Sequence, residues 1–355
     1  MTSSFHLIEA SSFLQQGSRP WHGFSFRASI GTHDRLIGKP SLYPYNRAMT
    51  AALITLAMLV IAFLISLFLV PMLLSRKLLE PRCTSHLQSI DEKSSSGQLD
   101  LEMIDSLDQE SFKVMSPLGY DLKGKIFLYD GSRKVVILVH GYTSNYTDML
   151  KYLMLWRKLG FTVMAFDQRG HGDSGKALIT MGYRESQDLQ AMVSYARQRF
   201  GSSCILGLHG ESMGATTVMM AVSRIVPHVD FAVEDCGYSN LYDQCAHIAS
   251  SLYHMPRKPY MNLARAYVKR EHGFDMLDDV NAEKSLEGAK DTPMLFVHTD
   301  SDSFVPTSMV FRNYGSKPGF KRIRLFKGSG HATSFSEHRE DYAKCVQDFL
   351  KELGI

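Results

Sequence analysis

Cysteine is too sparse in this chain to organise its structure. The 355 residues hold five, Cys83, Cys204, Cys236, Cys245 and Cys345. They lack the paired spacings of a metal site, and an odd number gives no disulfide framework. Only Cys236 and Cys245 lie near enough in sequence to suggest a pair, and the case for it is weak. Net charge is also small, +3, too little to argue for a nucleic-acid partner. No internal repeat, phosphate loop, dinucleotide fingerprint or H-E-x-x-H run occurs. What remains is ordinary globular composition, 45% hydrophobic and 21% charged, enough for one large domain with appendages.

Charge is absent altogether from Ala48 to Leu74. The centre of that stretch, Ala51 to Val70, is nearly all Ala, Leu, Ile, Val, Phe and Met, and roughly 20 such residues span a bilayer as a helix. Arg47 closes one end; Arg76 and Lys77 close the other. A buried helix of a soluble domain is the alternative, but this run is too long and is apolar on every face. A cleaved signal would be shorter and end at small residues, whereas this run ends Val70-Pro71-Met72-Leu73-Leu74. Residues 48–74 therefore read as an uncleaved single-pass anchor in a lipid bilayer. Basic residues do not orient it: Arg35, Lys39 and Arg47 precede it, and Arg76, Lys77 and Arg82 follow. The acidic residues between Asp91 and Glu110 tip the balance slightly towards an inside N-terminus. Residues 1–47, with scattered aromatics such as Trp21, are expected to be a disordered tail, or an extension upstream of a start at Met49. Residues 75–111 are expected to be a linker with one short helix.

From about Phe112 the pattern alternates strands and helices. Lys125–Tyr129 reads as an edge strand. Val135–Val139, Phe161–Phe166, Cys204–His209, Phe231–Val233 and Met294–Val297 read as strands buried on both faces, and Ile323–Phe326 as the last strand. Helical stretches run between them at 146–159, 184–199, 213–225, 307–314 and 337–353. The spacing predicts an α/β domain over residues 112–355, a mostly parallel sheet with helices on both faces. Its site is expected at the carboxyl ends of the strands.

Four segments fall at those ends. Gly210-Glu211-Ser212-Met213-Gly214 stands between a strand and a helix, the setting in which a serine is pushed out at the top of a sheet. Alone it could be a glycine-rich turn with a serine cap. His140-Gly141-Tyr142-Thr143 follows another strand. The backbone N–H groups of Tyr142 and Met213 could receive the negative charge that develops on a carbonyl oxygen in acyl transfer. Asp302 is the preferred acid to orient a histidine, with Asp300 as competitor and Asp235 as a weaker third. His331, in Gly330-His331-Ala332, is the candidate base for Ser212. The order Ser212, Asp302, His331 is serine, acid, histidine. His209 and His298 sit in strand ends and read as packed, and Arg169 and His171 as structural.

The segments Val139–Asn145, Asp167–Gly175, Gly210–Gly214, Glu234–Tyr238 and Gly330–Ala332 resemble those of α/β-hydrolases. They are most similar to membrane-anchored bacterial hydrolases of the prolyl-oligopeptidase and serine-aminopeptidase-like branch. The resemblance covers roughly residues 112–353. It implies the α/β-hydrolase fold with a small helical cap, a triad of Ser212, His331 and Asp302, oxyanion donors at Tyr142 and Met213, and no cofactor or metal. It also implies an extracytoplasmic enzyme domain. One departure stands out: Thr299 occupies the place of the usual glycine before the two aspartates.

The cap is expected within about 238–290, where Tyr238, Tyr242, Tyr253, Met255, Tyr260, Met261 and Tyr267 suit an apolar acyl or aryl group or simply pack the cap. Arg257, Lys258, Arg265, Lys269 and Arg270 read first as a solvated face. Carboxylic-ester hydrolysis is the leading expectation. A peptidase acting on amide bonds is the alternative, and a non-catalytic membrane binding protein on a hydrolase scaffold the second.

Overall fold

A computed structural model of the chain describes residues 43–251, 254 and 258–355, with side chains described from Asn46 onward. The expectations for residues 1–42, including Trp21, Arg35 and Lys39, and those for Tyr253, Met255 and Arg257, lie outside the described residues. The chain divides into two compact units, residues 1–57 and 58–355. In the first, the described part is helical, the start of α1 (Tyr43–Leu79). The stretch Asn46–Leu79 is long and apolar enough to cross a membrane by length and composition.

Within residues 58–355, α1 changes character along its length. Met58 to Ile65 are exposed, and from Ser66 one face turns inward, through Leu67, Val70, Pro71, Ser75 and Leu78 to the buried Leu79. Leu79 belongs to the main hydrophobic core, and its carbonyl accepts the N–H of Ile179 at 3.0 Å. The segment expected as linker is structured too. It forms α2 (His86–Ser95), opened by a capping box on Ser85, and α3 (Leu101–Asp105), capped by Asp100. The Oδ2 of Asp167 bonds the ring of His86 at 2.9 Å, which ties this segment to the strand ends.

Eight strands form one sheet: β1 (Gln109–Met115), β2 (Asp121–Phe127), β3 (Lys134–Val139), β4 (Thr162–Phe166), β5 (Ile205–Glu211), β6 (Phe231–Asp235), β7 (Met294–Thr299) and β8 (Lys321–Phe326). Their order is β1-β2-β4-β3-β5-β6-β7-β8, with β3 to β8 parallel and β2 antiparallel to both its neighbours. The expected edge strand at 125–129 starts earlier, at Asp121, and β1 lies outside it. β1 was hidden because its solvated residues interrupt the apolar pattern.

Alternation along β3 shows why its run is continuously apolar. Val135, Ile137 and Val139 enter one core, and Val136 and Leu138 the other. The first core is covered by α5 (Glu185–Phe200) and α6 (Met213–Ala221). The second is covered by a 3₁₀ turn at Tyr146–Tyr152, by α4 (Leu153–Lys158) and by α12 (Arg339–Glu352). The helix expected over 146–159 is thus a 3₁₀ turn followed by a short α-helix. Between β6 and β7 lie α7 (Leu241–Ser251), α8 (Tyr260–His272) and α9 (Ala282–Leu286). α10 (Ser308–Ser316) and α11 (Ser334–Glu337) complete the described helices.

Candidate active site

Ser212 stands between β5 and α6 with φ +56° and ψ −118°, a conformation that L-residues rarely adopt. The turn holds because its flanking residues are glycines. A Cβ on Gly210 would strike the backbone of Gly214, and one on Gly214 would strike the carbonyls of Val139 and His140. The Ser212 N–H donates to the Asp235 carbonyl at 2.8 Å, which fixes the turn to β6. Its side chain is left facing the loops after β3, β7 and β8.

His331 arrives from the loop after β8, with its Nε2 2.9 Å from the Ser212 Oγ and its Nδ1 2.6 Å from the Asp302 Oδ2. Asp302 is oriented in turn, because its Oδ1 accepts the N–H groups of Phe304 and Val305, each at 2.8 Å. Burial pushes the Asp302 carboxyl up, but the bond from His331 and the Val305 N–H together hold it below the ordinary carboxylate value. Of the other two candidate acids, Asp300 accepts the Ser301 hydroxyl and the Gly328 N–H as a turn residue. Asp235 accepts the hydroxyl of Tyr342 at 2.9 Å, and the hydroxyl oxygen of Tyr152 lies 3.0 Å from it. Neither of them bonds His331. Thr299, where the resemblance implied glycine, donates its hydroxyl to the Ser329 carbonyl at 2.6 Å. It thereby ties the loop of the acid to the loop of the histidine.

The loop Gly141–Thr143 passes beside the serine: a Cβ on Gly141 would lie 3.4 Å from the Ser212 Cβ. Among the described residues, the N–H groups of Tyr142 and Met213 donate to no protein acceptor. Two histidines hold this loop. His140, fully buried, accepts the Gln168 N–H on Nε2 at 2.9 Å, and burial lowers its pKa to about 3. His171 accepts the Thr143 N–H at 3.2 Å, and burial also lowers its pKa. Both rings are therefore neutral acceptors, and the Asp167–Gly175 segment serves as the loop's support. From the other side, the Tyr142 hydroxyl donates to the Leu78 carbonyl in the last turn of α1 at 3.0 Å, with the Lys77 carbonyl 3.2 Å away.

Comparison with known proteins agrees with this architecture. An esterase of Pyrococcus furiosus has a similar structure, with TM-score 0.57 and 22% identity over 72% of this chain and 94% of its own. The α/β-hydrolase GrgF of Penicillium sp. sh18 gives TM-score 0.55 at 17% identity, over 69% and 99%. The acylaminoacyl peptidase of Pyrococcus horikoshii gives 0.55 at 15%, over 71% of this chain and 42% of its own. At these identities the likeness is one of fold. The family described as serine aminopeptidase, S33, matches residues 130–234. The uncharacterised protein YqkD of Bacillus subtilis (strain 168) is 30% identical over 266 residues, 75% of this chain and 87% of its own. The chain belongs to the α/β-hydrolase superfamily.

Beneath the serine this α/β-hydrolase carries a buried polar network that the sequence did not disclose. Lys151 Nζ lies 2.5 Å from the Glu211 Oε2 and donates to the Ala332 carbonyl at 3.1 Å. It thus bridges the residue before Ser212 and the residue after His331. Tyr152 donates to Glu211 at 2.7 Å, and Tyr342 to Asp235 at 2.9 Å. His209 accepts the indole N–H of Trp156 at 3.0 Å, and burial lowers its pKa to about 3. His209 and His298 are both packed, as expected; His298 donates to the Val305 carbonyl at 3.0 Å.

One further group lies at the site. Cys236, Asp302 and His331 place a possible metal-ligand atom each within 4.8 Å of one another. The residues fit a metal poorly. Burial pushes the Cys236 thiol well above its ordinary pKa, and it is the thiolate that binds metals. The Asp302–His331 bond also already occupies two of the three donors. Cys236 and Cys245 are both free thiols.

Proposed function

We propose that this α/β-hydrolase is a membrane-anchored serine hydrolase of carboxylic esters. The observation that carries the reading is the unbroken hydrogen-bonded line Ser212–His331–Asp302 at 2.9 and 2.6 Å. Ser212 Oγ attacks the ester carbonyl while its proton passes to His331 Nε2. Asp302 holds the ring in the tautomer with hydrogen on Nδ1 and stabilises the imidazolium that forms. The N–H groups of Tyr142 and Met213 stabilise the oxyanion. His331 then returns the proton to the leaving alcohol as the C–O bond breaks. A water, deprotonated by the same ring, attacks the acyl-serine, and the acid leaves as Ser212 recovers its proton.

Esters are favoured over aminoacyl amides by the cavity beside Tyr142 and Phe304. No carboxylate is among the described residues that line it, so it offers no partner for a substrate α-ammonium group. A fluorophosphonate probe tests the nucleophile. The full chain is expected to label and Ser212→Ala to remain unlabelled; equal labelling of the two would remove Ser212 from the mechanism.

The anchor is residues 48–74, with the catalytic domain outside the cytoplasmic membrane. The apolar stretch of α1 and the slight lean of its flanking charges support this. Protease added to intact cells is expected to degrade the domain after Leu74. Full protection, with degradation only after lysis, would place the domain inside.

A further inference from the structure

The helix that would anchor this protein also builds a wall beside its candidate active site. A cavity of about 320 Å³ lies between the last turns of α1 and the helices α7 and α8. Leu74 and Leu78 of α1 form one side, Ile248 of α7 and Met261 and Ala264 of α8 the other. At roughly 30 Å³ for a group the size of a water molecule, this volume takes about ten methylene units.

The cavity adjoins the reacting groups. Tyr142, the proposed oxyanion donor, is in its wall, and so is Phe304, whose ring centroid is 5.0 Å from that of His331. An acyl chain laid in the groove therefore runs past Tyr142 and Phe304 towards Ser212.

The same cavity also meets the apolar surface of α1. Phe68, Leu69, Leu73 and Leu74 stay 71%, 42%, 51% and 42% exposed. They extend the apolar surface of the exposed Met58–Ile65 turns down α1 towards the groove, which Leu74 also lines. Ile65 and Leu74 are about 14 Å apart along a helix rising 1.5 Å per residue. A chain leaving a bilayer around the upper turns could reach the groove without crossing water, avoiding the cost of exposing its methylenes.

We propose that the substrate is a long-chain acyl ester resident in the bilayer, its chain entering along α1 and lying in the groove between α1, α7 and α8. This rests on the serine-hydrolase reading and adds the substrate class and its route.

The test uses the full chain in dioleoylphosphatidylcholine vesicles with p-nitrophenyl esters from acetate to tetradecanoate. kcat/KM is expected to rise at least tenfold from acetate to decanoate. Ala264→Trp and Ile248→Trp, each checked for folding by fluorophosphonate labelling, are expected to lower the decanoate-to-acetate ratio at least tenfold. A flat series in a protein that hydrolyses acetate, or an unchanged ratio in both variants, would overturn the groove alone. No hydrolysis of any ester together with no labelling of Ser212 would overturn the hydrolase reading, and the groove with it. The route has its own readout. 4-Methylumbelliferyl oleate in the protein's own vesicles is expected to be cleaved at least ten times faster than the same ester in separate protein-free vesicles; equal rates would overturn entry from the bilayer.

Discussion

His331→Ala is expected to lower kcat for a short acyl ester by roughly 10⁵- to 10⁶-fold, with little change in KM. The size follows from the geometry. Among the described residues, His331 is the one group that bonds both Ser212 Oγ, at 2.9 Å, and Asp302, at 2.6 Å. In the proposed mechanism the serine is then left without a base and the leaving alcohol without a proton. Asp302→Asn should cost about 10⁴-fold, because an amide at that position favours the wrong imidazole tautomer. The double variant Ser212→Ala, His331→Ala should be no slower than either single one, since the two act as a unit. Stopped-flow burst and steady-state kinetics on p-nitrophenyl acetate measure each of these. A His331→Ala protein that keeps its fold and loses less than tenfold in kcat would remove His331 as base.

The parts of this site that could be read in the sequence share one property: their chemistry is written locally. Gly210 and Gly214 are required by a turn that spans five residues, so the pentapeptide announces itself. Strands β3 to β7 are buried on both faces, and a largely apolar run suits that place. The missed elements depend on distant partners. β1 is half-solvated, and nothing in Gln109–Met115 says that it pairs with β2. The segment at 75–111 looked like a linker because it is polar. Its order comes from single tertiary contacts, such as His86 with Asp167 and the Asn145 side chain with the Thr84 carbonyl. Thr299 was visible as a departure from the family pattern, but the Ser329 carbonyl it binds is 30 residues away. The sequence points to Tyr142 only through its backbone N–H. Its hydroxyl turns out to join the loop to the last turn of α1, a link that periodicity cannot show.

Lys151 is the clearest case of a residue with no local signal and a large expected effect. It is 60 residues from Glu211 in sequence, yet its ammonium group is 2.5 Å from that carboxylate and almost fully buried. Lys151→Met should destabilise the domain by about 3–5 kcal/mol, because it leaves the Glu211 charge buried without its partner. The pH dependence tells this apart from a packing defect. In the native protein burial pushes Glu211 up, but Lys151 and Tyr152 hold it below the ordinary value. That contribution is present above the unfolded carboxylate pKa and lost as pH falls through the folded one. Lys151 is raised by Glu211 against the opposing effect of burial, so its contribution is lost only as pH rises past its folded pKa.

In the variant, burial acts on Glu211 without the opposing lysine, and its folded pKa moves above the unfolded value. Stability of Lys151→Met should therefore fall as pH rises from about 4, so that its deficit against the native protein is smaller at pH 5 than at pH 7.5. Adding Glu211→Gln should restore most of the lost stability, since it removes the stranded charge. It should not restore activity. Lys151 also holds the Ala332 carbonyl at 3.1 Å, next to His331, and neither variant has that tether. Both are expected to keep a kcat deficit of about 10- to 100-fold, the scale on which misplacing a reacting group is felt. Urea unfolding at the two pH values, with kcat on the same samples, separates the roles. Full recovery of kcat in the double variant would leave Lys151 with a purely structural one.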